Sequence, residues 1–231
     1  MNKVFTALLA VAVAGCAVTT KSQPEAVTQT GFLQDYSQLK PGDKEQAALI
    51  YWSPNAQWSR YDKVMLDPVT LVIRENEISP EDQARLSKYY GDKLREELSK
   101  NFTLVDQSGP DVIRIRVALT DAEAATSGVR TISVIVPQAR LLNAGYDAAT
   151  GHYAFVGSAQ TEGEILDSAT DQRLAAAVDR RYGGLSVKNA GVWQWGDAEH
   201  IMDYWAETLS TRLAERKAAA AGNVSSGSSS K

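Results

Sequence analysis

The stretch Tyr153 to Arg180, YAFVGSAQTEGEILDSATDQRLAAAVDR, reads as two β-strands, 153–166 and 173–180, joined by the polar run Asp167-Ser168-Ala169-Thr170-Asp171-Gln172. Asp, Ser and Thr bond their own backbone and favour turns, so the run predicts a hairpin connection. Working back along the chain, Ile113, Ile115, Val117 and Leu119 alternate with Arg114 and Arg116, the period-two pattern of a half-buried strand. Phe102 to Val105 is a short strand before the turn Ser108-Gly109-Pro110. Lys63 to Ile73, KVMLDPVTLVI, is one more β-rich run, with Pro68 marking a bulge or an edge because proline donates nothing to a ladder.

Two helices complete the set. Ser79-Pro80-Glu81-Asp82 combines a capping hydroxyl, proline at the first helical position and acids at the positive end of the dipole. Leu86, Tyr90, Leu94 and Leu98 follow at intervals of four, one apolar stripe ending near Lys100. A last helix is predicted from about Asp197 to Lys217, with Ile201, Trp205, Leu209 and Leu213 on one face. The expected fold class is α+β: five or six mostly antiparallel strands with two long helices packed on one face of the sheet. Residues 121–150 are ambiguous, with TISVIV strand-like and a short helix possible from Pro137 to Asn143.

The chain start carries an address. Met1-Asn2-Lys3 is a positive head, and Val4 to Ala14 is an apolar run of 11 residues, shorter than the roughly 20 needed to span a bilayer. Val13-Ala14-Gly15-Cys16 resembles the bacterial lipobox. The resemblance implies cleavage after Gly15, a diacylglyceryl thioether on Cys16 and acylation of the freed amine, and so an anchor of several acyl chains. The alternative is an ordinary signal cut at Ala12-Val13-Ala14 that leaves Cys16 as a free thiol. Ala17 stands where an aspartate would retain an enteric-type lipoprotein at the inner membrane, which favours the outer membrane and a domain facing the periplasm. The expected organisation is signal peptide 1–15, lipidated cysteine and flexible tether 16–30, one α+β domain 31–217 and a disordered tail 218–231, AAAAGNVSSGSSSK.

Composition excludes several functions. With 24 Lys and Arg against 28 Asp and Glu, the 231 residues carry a formal charge of −4. That mild acidity, without basic clusters, gives a nucleic-acid backbone nothing to hold. A single cysteine excludes a disulfide framework and multi-thiolate zinc sites.

Candidates for chemistry are few. His152 follows a turn, and His200 with Glu199 and Asp203 outlines a metal corner on a helix, but negative charge in a first helical turn is the simpler account. Asp167 and Asp171 flank the hairpin turn, better as an Asx turn than as a calcium loop. No nucleophile elbow, phosphate loop or His-Glu-x-x-His occurs in the chain. No catalytic residue, metal site or cofactor is therefore expected. Arg114 and Arg116 share the polar face of one strand, and Glu162 and Glu164 one face of another, so neighbouring strands would pair them as ions.

Phe32, Tyr36, Tyr51, Trp52, Trp58 and Tyr61 crowd a segment of about thirty residues with neither helical nor strand period. Either it wraps its own domain, or Tyr51, Trp52 and Trp58 dock a partner. The expected role is non-catalytic: a binding or adaptor domain for an envelope protein or polymer. The rivals are an enzyme working with acidic residues alone and a carrier of small apolar ligands, for which a cavity would be the discriminator.

Three segments resemble a known family: GFLQDYSQL at 31–39, YDKVMLDPV at 61–69, and EGEILD at 162–167 with RLAAAVDRR at 173–181. They are similar to the lipoproteins grouped as domain-of-unknown-function family 3313, over about Gly31 to Leu213. The resemblance implies a lipoprotein and no known chemistry. The strand, Asp-containing turn, strand pattern also resembles the α/β domain of TolB amino-terminal regions.

Overall fold

The computed structural model describes residues 27–44, 46–72, 78–123, 157–183 and 195–227. Within them, eight strands form one sheet: β1 (Lys40–Pro41), β2 (Leu49–Trp52), β3 (Lys63–Leu66), β4 (Thr70–Leu71), β5 (Thr103–Leu104), β6 (Val112–Glu123), β7 (Ser158–Asp167) and β8 (Arg173–Tyr182). Two long helices accompany them, α1 (Pro80–Ser99) and α2 (Gly196–Gly227). The sheet order is β1-β2-β8-β7-β6-β3-β5, with β4 also against β6. The fold is α+β. Its long ladders, β6 with β7 and β7 with β8, are antiparallel, as is β2 with β8. The short strands β3, β4 and β5 join in parallel.

The hairpin forms where its residues predict it. Asp167 Oδ1 accepts from the Ala169 and Thr170 amides and the Thr170 hydroxyl, each at 3.0 Å, an Asx turn that lets Asp171 take a positive φ of 56°. Ser79 caps α1 by accepting from the Asp82 amide at 3.1 Å. All four stripe residues of α1 (Leu86, Tyr90, Leu94, Leu98) are buried.

Pro68 does more than bulge a strand. It splits the expected 63–73 run into β3 and β4, because three residues, Asp67 to Val69, bridge a gap that β6 spans with Arg116 and Val117. The last helix also outruns its expected end at Lys217. Alanine is the best helix former, and Ala218 to Ala221 carry α2 on to Gly227, so the first part of the expected disordered tail is helical and Ala220 packs against the core.

Both helices lie on one face of the sheet and pack on each other, with Ser210 Oγ donating to the Glu97 carbonyl at 2.7 Å and Tyr90 tilted against Trp205. The other face is crossed by a strap, residues 27–39. Leu33, with Val27, Phe32, Tyr36 and Leu39 around it, packs on Ala176 and Val178. Thr28 exchanges hydrogen bonds with Gln160, and the Thr30 amide donates to Glu162 at 2.9 Å. The expected tether therefore ends earlier than Thr30: its last residues are bonded to the sheet. Cys16 and the lipobox, His152 and the 124–150 part of the ambiguous stretch lie outside the described residues.

Candidate functional site

Register explains an unusual opening between sheet and helix. On the helix-covered face, one transverse row reads Trp52, Ala175, Ile165, Ile115 across β2, β8, β7 and β6. The next row reads Ile50, Ala177, Gly163, Val117. Its two central positions are the small residues Ala177 and Gly163, where a close-packed core would place branched side chains. Among the described residues nothing fills the space above them, and Ala177 stays half-buried in the middle of a central strand. The result is a cavity of about 360 Å³, floored by these residues and walled by Trp52, Tyr204, Trp205 and Leu209. Its lining is mostly apolar, and its size falls within the range of about 300–1,000 Å³ typical of small-molecule sites.

The buried polar part of the lining, Asp179 and Arg181, is internally matched. Asp179 accepts from Arg181 Nε at 2.7 Å, from the Trp205 indole at 2.8 Å and from the Ala48 amide at 3.0 Å. The Arg181 guanidinium stacks 4.1 Å from the Tyr204 ring centroid. At the mouth, one turn apart on α2, stand Arg212 and Arg216. Arg212 pairs with Glu215 at 3.1 Å. Arg216 lies 3.8 Å over the Trp52 ring.

This geometry redistributes the aromatic candidates. Trp58 is 7% exposed, packed edge-on against Trp52 at 5.4 Å and against Tyr61 at 6.4 Å, so it is a core residue and not a docking ring. Trp52 is a cavity wall. Tyr51, on the strap-covered face opposite Ala176, is half-buried. The segment 31–61 wraps its own domain through β1, β2 and the Trp58–Arg60 turn. Its period was hidden because these pieces are too short to show one.

Of the expected ion pairs, Arg116 with Glu164 forms at 2.6 Å, across the β6–β7 register. Arg173 joins the same carboxylate at 2.9 Å. Arg114 instead holds Asp67 bidentately. Glu162 faces Ala118 and is fully buried beneath the strap, accepting from the Tyr36 hydroxyl at 2.5 Å. Of the metal candidates, Asp167 has both carboxylate oxygens committed, since Oδ2 accepts from Tyr61 at 2.7 Å, and Asp203 accepts from Tyr89 at 2.8 Å. Among the described residues no three His, Cys, Asp or Glu side chains converge as a metal site.

The family described as protein of unknown function DUF3313 matches residues 28–209. The chain belongs to this family. It is 30% identical over 183 residues to the uncharacterized lipoprotein YdcL of Escherichia coli strain K12, covering 77% of this chain and 80% of that protein. Among solved structures, a PelC dodecamer from Paraburkholderia phytofirmans matches with a TM-score of 0.39 at 12% identity, over 70% of this chain and 94% of that one. The DUF330 protein XCC0632 from Xanthomonas campestris matches with a TM-score of 0.38 at 9% identity, over 68% and 87%. Neither is a TolB amino-terminal region, and both likenesses are too loose to carry function. No helix among the described residues is long and apolar enough to cross a membrane.

Proposed function

We propose that this chain is a non-catalytic binding domain of the cell envelope, held at the outer membrane by lipid on Cys16 and facing the periplasm, whose cavity takes an apolar small molecule. The observation that carries the reading is the Ala177 and Gly163 floor. A core of this size has every reason to fill such a space, since each missing side chain forfeits contacts and roughly 24 cal/mol per Å³ of void. A void kept beside an open mouth, lined by Trp52, Trp205 and Leu209, is a shape that an apolar occupant stabilises. The adaptor reading loses its strongest anchor, since Trp58 is in the core. The lipobox, Ala17 after Cys16 and the lipoprotein relative support the location.

The test is titration of the mature chain with the neutral dye N-phenyl-1-naphthylamine. Saturable fluorescence enhancement is expected, lost in Ala177→Phe, which fills the floor, and in Leu209→Trp, which fills it from the helix side. Absence of saturable binding to the wild type, or dye binding unchanged in both variants while they remain folded by circular dichroism, would refute the proposal.

A further inference from the structure

Resting on that reading of the cavity, a second observation specifies the occupant: the charges around it do not cancel. Asp179 is matched to Arg181, and Arg212 to Glu215. The Glu164 carboxylate points to the opposite face of the sheet, onto Arg116 and Arg173. Arg216 alone of these cations has no carboxylate within ion-pair reach among the described residues. It is half-buried at the mouth, and its contact is the Trp52 ring at 3.8 Å.

Stacking engages the flat face of a guanidinium and leaves its edge donors unused, in the fork geometry that suits a carboxylate or phosphate. Its surroundings are short of negative charge: burial, then the neighbouring Arg212, push the Arg216 pKa down, with only Glu215 opposing. Arg212, four residues earlier on the same helix face, puts a second guanidinium beside the same opening. Below the two arginines the walls are indole and leucine. An apolar slot with cationic donors at its rim is complementary to a chain that ends in an anion. The cavity volume sits near the low end of the usual ligand range, which suits one chain and not two.

We infer that the cavity binds a single-chain amphiphile, its tail over Ala177 and Gly163 and its anionic oxygen head group on the edge of Arg216. A half-buried charge-assisted bond of this kind corresponds to about tenfold in affinity.

The experiment is displacement of bound N-phenyl-1-naphthylamine by dodecanoate, dodecyl phosphate, dodecanol and dodecyltrimethylammonium, each below its micelle concentration. Wild type, Arg216→Gln, Arg216→Lys and Arg212→Gln are compared. Both anions should bind about tenfold tighter than dodecanol, with the cation weakest. Arg216→Gln should remove that preference without changing dodecanol, Arg216→Lys should restore part of it, and Arg212→Gln should have the smaller effect because Glu215 already pairs that residue. A stronger response to the carboxylate or to the phosphate distinguishes a fatty acid from a phosphorylated lipid, and either supports the inference. Equal binding of dodecanol and the anions, an equal loss of both in Arg216→Gln, or preference for the cation overturns the head-group assignment and leaves the cavity reading standing. If the dye binds but no dodecyl compound displaces it, the amphiphile inference falls. If the dye itself does not bind, the cavity reading falls first.

Discussion

Tyr61 donates its hydroxyl to Asp167 Oδ2 at 2.7 Å, fastening the turn that begins at Trp58 to the hairpin that joins β7 to β8. The same carboxylate organises the turn through Oδ1 and has Arg60 at 3.4 Å, so one side chain ties together segments more than a hundred residues apart. Breaking it should cost more than one bond's worth. Asp167→Asn is expected to lose about 1–3 kcal/mol in urea unfolding, because the amide then opposes the tyrosine donor with a donor of its own. A double-mutant cycle with Tyr61→Phe should show coupling of about 0.5–3 kcal/mol, and additive losses would deny that the two act together.

The pair also predicts a pH response on both sides. Burial, reinforced by the bond to Asp167, pushes Tyr61 up to about 12, so between about pH 10 and 12 the folded chain keeps a proton that the unfolded chain has released. Stability from this residue is full below about pH 10 and lost as pH rises through the folded value. Tyr89 and Tyr90 are raised as well, by burial above all, so Tyr61→Phe should make the alkaline decline shallower without abolishing it. For Asp167, burial pulls upward but is outweighed by the bonds from Tyr61, Thr170 and the Ala169 and Thr170 amides, which leave it below the ordinary carboxylate range. Its contribution is present above about pH 4 and lost as pH falls through the lowered value. Urea midpoints across the pH range check both slopes.

The two tryptophans should separate. Trp58→Ala deletes a buried ring and is expected to cost about 3–5 kcal/mol. Trp52→Ala should cost less, since that ring is half-buried and borders a space already empty, and it should weaken dye binding by removing a wall. The rings touch, so the double variant should be less than additive.

Residues 27–30 are expected to be structural. A chain beginning at Gly31 loses the Thr28 bonds to Gln160 and the Thr30 bond to Glu162, each worth about 1 kcal/mol, and at about 2–4 °C per kcal/mol the melting midpoint should fall by several degrees. A chain beginning at Ser22 should keep the midpoint of the full mature protein. Equal midpoints for the two would show that these residues are not docked.

Replacing Cys16 with Ala should move the protein from the membrane to the soluble periplasmic fraction, and treatment of the wild type with a lipase should release part of the anchor's mass. A variant that still sediments with the outer membrane would refute lipidation as the anchor.

The amino-acid sequence by itself determined what is local. The Ser79 cap, the Leu86 to Leu98 stripe, the Asp167 turn and the alternation about Arg114 and Arg116 each depend on residues within a few positions of one another, and each stands as read. Family membership was legible for the same reason, from contiguous motifs. What only the tertiary structure decided is whatever needs two distant segments in register. Glu162 and Glu164 look equivalent in the chain, yet one is opposite Arg116 and the other opposite Ala118, where it lies under a strap that starts more than a hundred residues upstream. Ala177 and Gly163 are unremarkable small residues until strand pairing sets them side by side beneath α2, and Arg216 is one surface cation among many until the fold lays it on Trp52. A cavity is the absence of side chains from several strands at one place, and that coincidence is set by register and helix placement, which no single stretch of the chain encodes.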